Sequence, residues 1–347
     1  MTTRPQLRRR GMLLAASLIA TALCAGCGEA NFPTKLGPAR PLAVAIDGPP
    51  SALYAPLYAA GSNGDFKRGA LAVTITAGSP ARALAALESH RAGVAIVSEP
   101  ELLAARDGGA RLVGIGALVR QPLDGIVSSE TRPVASVAAL SQRTIAVAPG
   151  AFTHAELATA LNGAHLAPGA VKTVPLRGDA LSALSAKGVA ATLGADWATS
   201  KVSLAQHHQQ AHVLQIQQLG VPGFSQLVIA VRVGEARYEG PLLRAFLQSL
   251  TRGERAAQSN PGAVAVVLAA ANRKLSRAFE SALLREVLPL ATPTNAKRPF
   301  GYQDPYAWQA FGAWMKSHGL IKHNADSGLA ITDEFLPGLG EATVTGA

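Results

Sequence analysis

The distribution of apolar and polar positions along the chain predicts short strands that alternate with helices. From residue 42 onward, brief apolar runs with strand character are followed by stretches in which apolar residues recur at helical spacing. The first set of these segments comprises 42–46, 52–61, 71–76, 81–91 and 93–97. Such alternation is typical of α/β folds that are built on largely parallel sheets.

A second set of alternating segments begins after residue 133 and repeats the same architecture. It comprises 144–148, 154–162, 171–175, 179–186, 190–194, 213–216 and 227–233. The remaining pattern is helical, over 242–259, 261–271, 275–288 and 306–318. Trp308, Phe311, Trp314 and Met315 share one face of the last helix, and we expect this aromatic stripe to pack on a core. Beyond residue 325 the pattern fades, which predicts a loosely held tail over 326–347.

The N-terminal 27 residues have the pattern of a lipoprotein signal peptide. Three arginines from Arg8 precede an apolar block over 12–23, and the small residues Ala25 and Gly26 precede Cys27. The block is shorter than the about 20 residues that a membrane-spanning helix needs. We therefore expect a signal peptide over 1–26 and a lipid on Cys27, with plain secretion as the alternative. After cleavage no second cysteine would remain, which excludes disulfides and thiolate metal sites.

Length and charge narrow the class of protein further. A mature chain of about 320 residues normally divides into two domains, and residues 27–41, with Pro33, Gly37 and Pro38, read as a linker. The formal net charge of +10 includes four arginines of the signal segment and falls to +6 without them. No run of basic residues survives in the mature chain, so the sequence does not support nucleic-acid binding.

An ordered series of segments carries a resemblance to a known family. The matching segments are 42–47 (LAVAID), 54–60 (YAPLYAA), 64–66 (GDF), 71–75 (LAVTI), 93–103, 114–117 (GIGA) with 121–123 (QPL), 238–260 and 308–321 (WQAFGAWMKSHGLI). Together they resemble the extracytoplasmic solute-binding proteins for thiamine-pyrimidine precursors and their alkanesulfonate, nitrate and taurine relatives. The resemblance covers about residues 42–325.

The resemblance implies a type II periplasmic-binding-protein fold, in which two doubly wound α/β lobes close on a solute and helices follow at the C-terminus. Residues 42–128 and 234–325 would form the first lobe, and 129–233 the second. It further implies a monomeric lipoprotein on the extracytoplasmic face of the membrane. This lipoprotein would deliver its small-molecule solute to the permease and ATPase of an ABC importer.

Open α/β sheets bind ligands at loops beyond the carboxyl ends of their strands, so a two-lobed chain places its site between the lobes. The resulting ligand-binding candidates are Asp47, Ser51, Tyr54, Ser98, Glu99, Phe152, Thr153, Asp196, Trp197 and Phe224. Tyr54 and Trp197 either stack on the solute or pack in the core. Glu99 and Glu101 either accept a hydrogen bond from a ligand amino group or complement a helix dipole. Thr153 and Glu156 have the spacing of a capping box.

The sequence departs from the pyrimidine-binding pattern at Gly48 and Ser98, where that pattern commonly has Trp and Tyr. Loss of two rings favours a small anion or a differently shaped ring over an aromatic pyrimidine. His207, His208 and His212 lie in a polar stretch without a nearby acid, which argues against a metal site. No catalytic or cofactor motif occurs. An enzyme related to pyrimidine synthesis and a sensor remain the alternatives.

Overall fold

The computed structural model describes residues 38–293, 295, 297–323 and 327–339. The predicted signal peptide, Cys27 and the linker up to residue 37 lie outside the described residues, as do the last eight positions. The described part contains ten strands and twelve α-helices. None of these helices combines the length and the apolar character needed to cross a membrane.

The elements follow the predicted alternation. The strands are β1 (Arg40–Ile46), β2 (Leu71–Ala77), β3 (Val94–Val97), β4 (Leu112–Val119), β5 (Gly125–Ser129), β6 (Thr144–Val147), β7 (Lys172–Pro175), β8 (Val189–Leu193), β9 (Ala211–Gln215) and β10 (Leu227–Arg232). The helices are α1 (Ala55–Ser62), α2 (Asp65–Arg68), α3 (Pro80–Glu88), α4 (Glu99–Asp107), α5 (Ala151–Gly163), α6 (Ala180–Ser185), α7 (Trp197–Gln206), α8 (Val233–Tyr238), α9 (Gly240–Ser259), α10 (Pro261–Ala271), α11 (Arg277–Ala291) and α12 (Pro305–Ser317).

The strands form two five-stranded sheets with matching topology. Sheet A has the order β2-β1-β3-β10-β4, and sheet B has the order β7-β6-β8-β5-β9. In each sheet the first three strands are parallel, whereas the fourth strand runs antiparallel to its neighbours. This fourth strand comes directly after the chain has crossed from the other sheet. The fold class predicted from the sequence, a doubly wound α/β architecture with two lobes, is confirmed.

The crossings differ from the predicted lobe boundaries. The strand β5 begins at Gly125 and pairs in sheet B, and β10 begins at Leu227 and pairs in sheet A. The chain therefore crosses before these strands and not after residues 128 and 233. The physical reason is that β10 inserts between β3 and β4, where both of its faces become buried.

Alternation of side chains along the strands of sheet A separates two cores. Leu42, Val44 and Ile46 of β1 contribute to one cluster of buried apolar side chains, whereas Ala45 contributes to the other. Strand β10 behaves in the same way, with Ile229 on one face and Val228 on the other. Both clusters continue into side chains of sheet B, so the apolar core extends across the crossings.

The predicted loose tail is wrong for the part that the structure describes. Residues 327–339 pack along the edge of sheet A, where Ile331 forms a parallel bridge with Gly114 of β4. Phe335 and Leu336 are buried, with exposed fractions of 2% and 3%. Apart from a short 3₁₀ helix over Ser327–Leu329 the segment is irregular, and its few buried residues leave no periodic pattern, which is why the sequence did not reveal it.

Candidate functional site

The loop after β1 carries a buried pair of polar side chains. The hydroxyl of Tyr54 donates a hydrogen bond to Oδ1 of Asp47, the first residue after the strand. Burial raises the pKa of Asp47 to about 7, and the carboxylate of Glu101 contributes to the increase. Tyr54 is 2% exposed, so its ring packs in the core and its hydroxyl holds Asp47 in place. Ser51 precedes the 3₁₀ turn that contains Tyr54 and is half-buried.

The start of α4 follows β3 and is fixed by a capping box. Ser98 Oγ accepts a hydrogen bond from Glu101 N at 3.4 Å, and Ser98 N donates to Glu101 Oε2 at 3.0 Å. Burial raises the pKa of Glu101. The capping box therefore orients Glu101 while leaving its side chain at the wall of a cavity.

This cavity has a volume of about 300 Å³ and lies between the two sheets at the carboxyl ends of their strands. Its polar lining comes from Ser98, Glu101, Asp124 and Gln226. Its apolar lining consists of Pro100, Ala104, Phe152, Phe224, Met315 and Leu320. The lining thus draws on sheet A, sheet B, both crossings and the C-terminal helix.

Aromatic rings form one wall of the cavity. Phe152 of α5 meets Phe224 edge to face, with 5.6 Å between ring centroids. Phe224 in turn stacks on Phe311 of α12 at 4.7 Å, and Phe311 stacks on Trp314 at 5.6 Å. The aromatic stripe of α12 is buried, as the sequence predicted, and Met315 of the same face also lines the cavity.

A second group of acids surrounds Asp124, the last residue before β5. Burial raises the pKa of Asp124, and Asp196 at the start of α7 adds to the increase. Glu156 of α5 is 0% exposed, and burial together with the charge of Asp124 raises its pKa strongly. Neither carboxyl oxygen of Glu156 has a hydrogen-bond partner among the described residues.

The predicted capping box at Thr153 and Glu156 is wrong. Helix α5 begins at Ala151 after Gly150, so Thr153 already lies inside the first turn, and no side chain caps the helix. Thr153 is buried, and the Glu156 carboxyl makes no hydrogen bond to the helix end among the described residues. The physical reason is that the spacing of a capping box fixes the motif only when the helix starts at the Thr.

Trp197 packs in the core, which is one of the two roles that the sequence allowed, and does not line the cavity. Its backbone N–H donates to Leu123 O at 2.9 Å and its indole Nε1 to Pro122 O at 3.4 Å. The side chain is 6% exposed and belongs to the apolar core. Trp197 therefore fastens α7 to the first crossing, while the neighbouring Asp196 accepts a hydrogen bond from Thr199 N at 2.9 Å.

Among the larger depressions outside this cavity are two of nearly equal volume. One, of about 590 Å³, adjoins Asp196 and extends to Asp179 and Lys274. The other, of about 610 Å³, lies between Glu88, Arg111 and Tyr238, at the opposite end of sheet A from the carboxyl ends of β1 and β3. The 300 Å³ cavity differs from these depressions in that residues of both crossings, Asp124, Phe224 and Gln226, line it.

Of the ten predicted ligand-binding residues, Ser98, Phe152 and Phe224 line the cavity directly. Asp47 and Asp196 are not among its lining residues, but they interact electrostatically with Glu101 and Asp124, respectively. Glu99 is 1% exposed and accepts a hydrogen bond from the backbone of Ser225. The sequence pattern does not single out Asp124, Gln226, Met315 or Leu320 as site residues. Asp124 and Gln226 lie within two residues of a strand start at the crossings, and that position was the available signal.

Residues 52–264, more than half of the chain, match the model of the family described as NMT1/THI5 like. The chain belongs to this family. A formylaminopyrimidine-binding protein from Halalkalibacterium halodurans is 25% identical over 302 residues, which cover 84% of this chain and 90% of that protein.

Solved structures share the fold at low sequence identity. The periplasmic aliphatic sulphonate binding protein SsuA from Escherichia coli superimposes with a TM-score of 0.66 at 18% identity, covering 85% of this chain and 98% of that chain. The desulfurization enzyme DSZB superimposes with a TM-score of 0.56 at 14% identity, covering 85% and 97%. This chain therefore has the fold of periplasmic binding proteins.

Proposed function

We propose that this protein is the extracytoplasmic solute-binding component of an ABC importer. It captures a small molecule in the cavity between its two sheets and presents it to a membrane permease. The observation that carries the proposal is the cavity itself, because both sheets and both crossings contribute to its lining. A ligand that contacts all of these elements stabilises the closed arrangement over any open one.

The size and lining of the cavity support a small solute. A volume of about 300 Å³ is at the lower end of the range for ligand pockets and fits one ring with short substituents. The rings of Phe152 and Phe224 offer flat apolar surface. The formylaminopyrimidine and aliphatic sulphonate that relatives bind are the two ligand classes to test first.

The cellular setting belongs to the same proposal. A lipid on Cys27 would hold the mature chain at the extracytoplasmic face of the membrane, next to a permease and its ATPase. We propose that the protein acts there as a monomer. Replacing Cys27 with Ala tests the anchor, since the protein should then leave the membrane fraction and lose palmitate labelling. Membrane retention of an unlabelled wild type would contradict it.

An enzyme and a sensor are the other candidates. The desulfurization enzyme among the structural neighbours gives the enzyme candidate its support. A binding protein returns its solute unchanged, whereas an enzyme consumes it. Mass spectrometry of the solute before and after incubation separates these cases. Uptake of labelled solute, in cells with and without the protein, separates import from sensing.

A variant that fills the cavity tests the proposal as a whole. Ala104 is exposed on α4 and lines the cavity, so Ala104→Phe should block it without removing a core contact. Ala81 is equally exposed on α3 away from the cavity, and Ala81→Phe is the matched control. A thermal-shift screen over pyrimidines, sulfonates and related small molecules should find a solute that stabilises the wild type and the control. Ligand at 100 times its dissociation constant should add about 2.7 kcal/mol.

The outcome against the proposal is equally definite. Stabilisation that survives in Ala104→Phe would place the site elsewhere. A wild type that no compound in the screen stabilises would contradict solute binding in this cavity.

A further inference from the structure

An exposed surface with arginine and tyrosine side chains lies at the amino ends of the parallel strands of sheet A. The depression of about 610 Å³ is there, and Arg111, Arg237 and Tyr238 are among the residues that line it. Both arginines are exposed, and Tyr238 is 73% exposed. The guanidinium carbon of Arg237 lies 5.4 Å from the centroid of the Tyr238 ring. These three residues are called the basic face below.

The positive charge of the basic face is not neutralised within the described part of the chain. Glu88 and Glu235 also line the depression, but Glu235 pairs with Arg232. No ion pair among the described residues involves Arg111 or Arg237. Exposed basic side chains beside an exposed amphipathic ring are typical of surfaces that meet the headgroups of anionic membranes.

The basic face lies at the end of sheet A where the chain enters the described fold. Strand β1 starts at Arg40, and Arg40 Nη2 pairs at 2.6 Å with Oε2 of Glu239, the residue after Tyr238. Cys27 precedes Pro38 by eleven positions, and a chain of that length reaches at most about 40 Å. A lipid on Cys27 would therefore keep this end of the protein within that distance of the membrane.

We propose that the basic face rests on the headgroups of the anionic membrane and so orients the tethered protein. Arg111 and Arg237 donate hydrogen bonds to lipid phosphate oxygens, and the Tyr238 ring enters the headgroup layer. The solute cavity lies at the carboxyl ends of the same strands, so this orientation turns it toward the solution. The proposal adds a surface to the proposed function, and it depends on the proposed lipid only for the reach of the tether.

Two arginines and one ring make a weak and reversible contact. Each basic residue near an anionic surface changes the binding constant by a factor of about five, and salt screens the attraction. The tether supplies the high local concentration at which so weak a contact persists. A protein without its lipid should therefore still leave the membrane fraction at physiological salt.

Vesicles test the contact apart from the tether. The mature protein with Cys27→Ala carries no lipid, and co-sedimentation at low salt measures its binding. One set of vesicles is phosphatidylcholine alone, and the other is equal parts of phosphatidylcholine and phosphatidylglycerol. We expect binding to the second set to be tighter by a factor of about 10 or more, and to decline as sodium chloride is added. Inorganic phosphate should compete no better than chloride at the same ionic strength, because the occupant is a membrane surface.

Variants locate the contact on the basic face. Arg111→Gln combined with Arg237→Gln should weaken binding to the anionic vesicles by a factor of about 10 or more. The matched control is Arg273→Gln with Arg277→Gln, because both arginines are exposed and none of the ion pairs among the described residues involves them. They follow Asn272, which donates a hydrogen bond to the loop after β1 at the cavity end of sheet A.

Tyr238→Ser should also weaken this binding, since the ring no longer enters the headgroup layer. Tyr306 is 86% exposed on α12 and does not line the depression, so Tyr306→Ser is its control. All of these side chains are exposed, and thermal unfolding should confirm that the variants remain folded.

A single thiol gives a measurement that does not depend on these variants. Gly234 lines the depression, and Gly223 lies in the second crossing beside the cavity. A Cβ at either position would meet no atom within 4 Å apart from its chain neighbours. With the anionic vesicles at low salt, a headgroup quencher should quench a fluorophore on Gly234→Cys more than one on Gly223→Cys.

Four results would overturn the proposal: equal binding to the two sets of vesicles, equal losses in the two arginine pairs, equal or stronger quenching at Gly223, or selective displacement by inorganic phosphate. The last would indicate a site for a free anion. The proposed function is tested separately, because the thermal shift caused by a solute should be the same in the wild type and in the variant of Arg111 and Arg237. Failure of membrane binding therefore leaves solute binding in place, and a protein that binds no solute can still bind the vesicles.

Discussion

Glu99 and Ser225 hold each other through two hydrogen bonds. The backbone N–H of Glu99 donates to Ser225 O at 3.1 Å, and the backbone N–H of Ser225 donates to Glu99 Oε2 at 2.7 Å. Glu99 is the first residue of α4, and Ser225 lies in the second crossing, two residues before β10. The pair thus joins the helix that carries Glu101 to the segment through which the chain returns to sheet A.

This pair should make stability depend on pH. Burial raises the pKa of Glu99 from its ordinary value of 4.5 to about 8. Between these values the folded protein keeps a proton that the unfolded chain has released, so the free energy of unfolding falls as pH rises from about 5 to about 8. Glu99→Gln cannot titrate and should flatten this decline, as measured by urea unfolding at several pH values.

The exposed Glu88 provides the control for that experiment, because Glu88→Gln should leave the pH dependence as it is in the wild type. Part of the decline should persist in Glu99→Gln, since burial also raises the pKa of Asp47 and of Glu280 to about 7. An unchanged slope in Glu99→Gln would contradict the assignment.

Gly48 and Tyr54 should be coupled through one close contact. A Cβ atom at Gly48 would lie 2.9 Å from the Tyr54 hydroxyl oxygen and 3.9 Å from its ring carbon Cζ. Gly48→Ala should therefore cost about 1–3 kcal/mol in the wild type. In a Tyr54→Phe background the same change should cost little, because the hydroxyl is gone. Urea unfolding of the two single variants and the double variant measures this coupling. Purely additive losses would contradict it.

The same contact explains why only part of the site could be predicted from the sequence. The positions of Asp47, Ser98 and Phe152 after strand ends are predictable, because alternation and strand order can be read locally. The sequence did not show that Tyr54 points its hydroxyl at Asp47 and fills the space beside Gly48. That arrangement depends on how the turn folds back over the strand.

Glu156 shows the limit of local reasoning more clearly. Its spacing from Thr153 predicted a capping role, yet the helix starts at Ala151, and burial together with the charge of Asp124 on another element raises the pKa of Glu156. An electrostatic interaction between α5 and the first crossing is tertiary, so neither segment's own sequence contains it. The capping box that does form, at Ser98 and Glu101, has the same spacing with the helix start in register.

Gly253 should tolerate no side chain. It lies where α9 crosses α1, and a Cβ there would come within 2.1 Å of Pro56 O and 2.8 Å of Ala60 N. Since both contacts are with backbone, the helices would have to separate, and Gly253→Ala should cost about 3 kcal/mol or more. Gly61 in α1 is the matched control, because a Cβ there meets only Phe66 at 3.8 Å. Gly61→Ala should be neutral or stabilise by up to about 1 kcal/mol. Equal effects at the two sites in chemical unfolding would contradict this packing.

The final prediction concerns the contact between α12 and α5, on the side of the cavity that the aromatic wall closes. Trp314 Nε1 donates a hydrogen bond to Thr159 Oγ1 at 3.1 Å, and His318 Nε2 lies 3.1 Å from the same oxygen. The Thr159 hydroxyl also donates to Ala155 O at 2.9 Å, so it joins the two helices. Thr159→Val keeps the shape of the side chain and leaves the indole N–H without this partner.

We expect Thr159→Val to lower the free energy of unfolding by about 1–2 kcal/mol and to change the tryptophan emission of the folded protein, because the surroundings of Trp314 change. Thr251→Val is the control, since the Thr251 hydroxyl donates to Leu247 O at 2.9 Å within α9 in the same way, without a hydrogen bond to a second helix among the described residues. If the contact holds this side of the cavity closed, Thr159→Val should also weaken solute binding, whereas Thr251→Val should not. Equal effects of the two variants on stability and emission would show that the bond within the helix, and not the link between α5 and α12, determines the behaviour of Thr159.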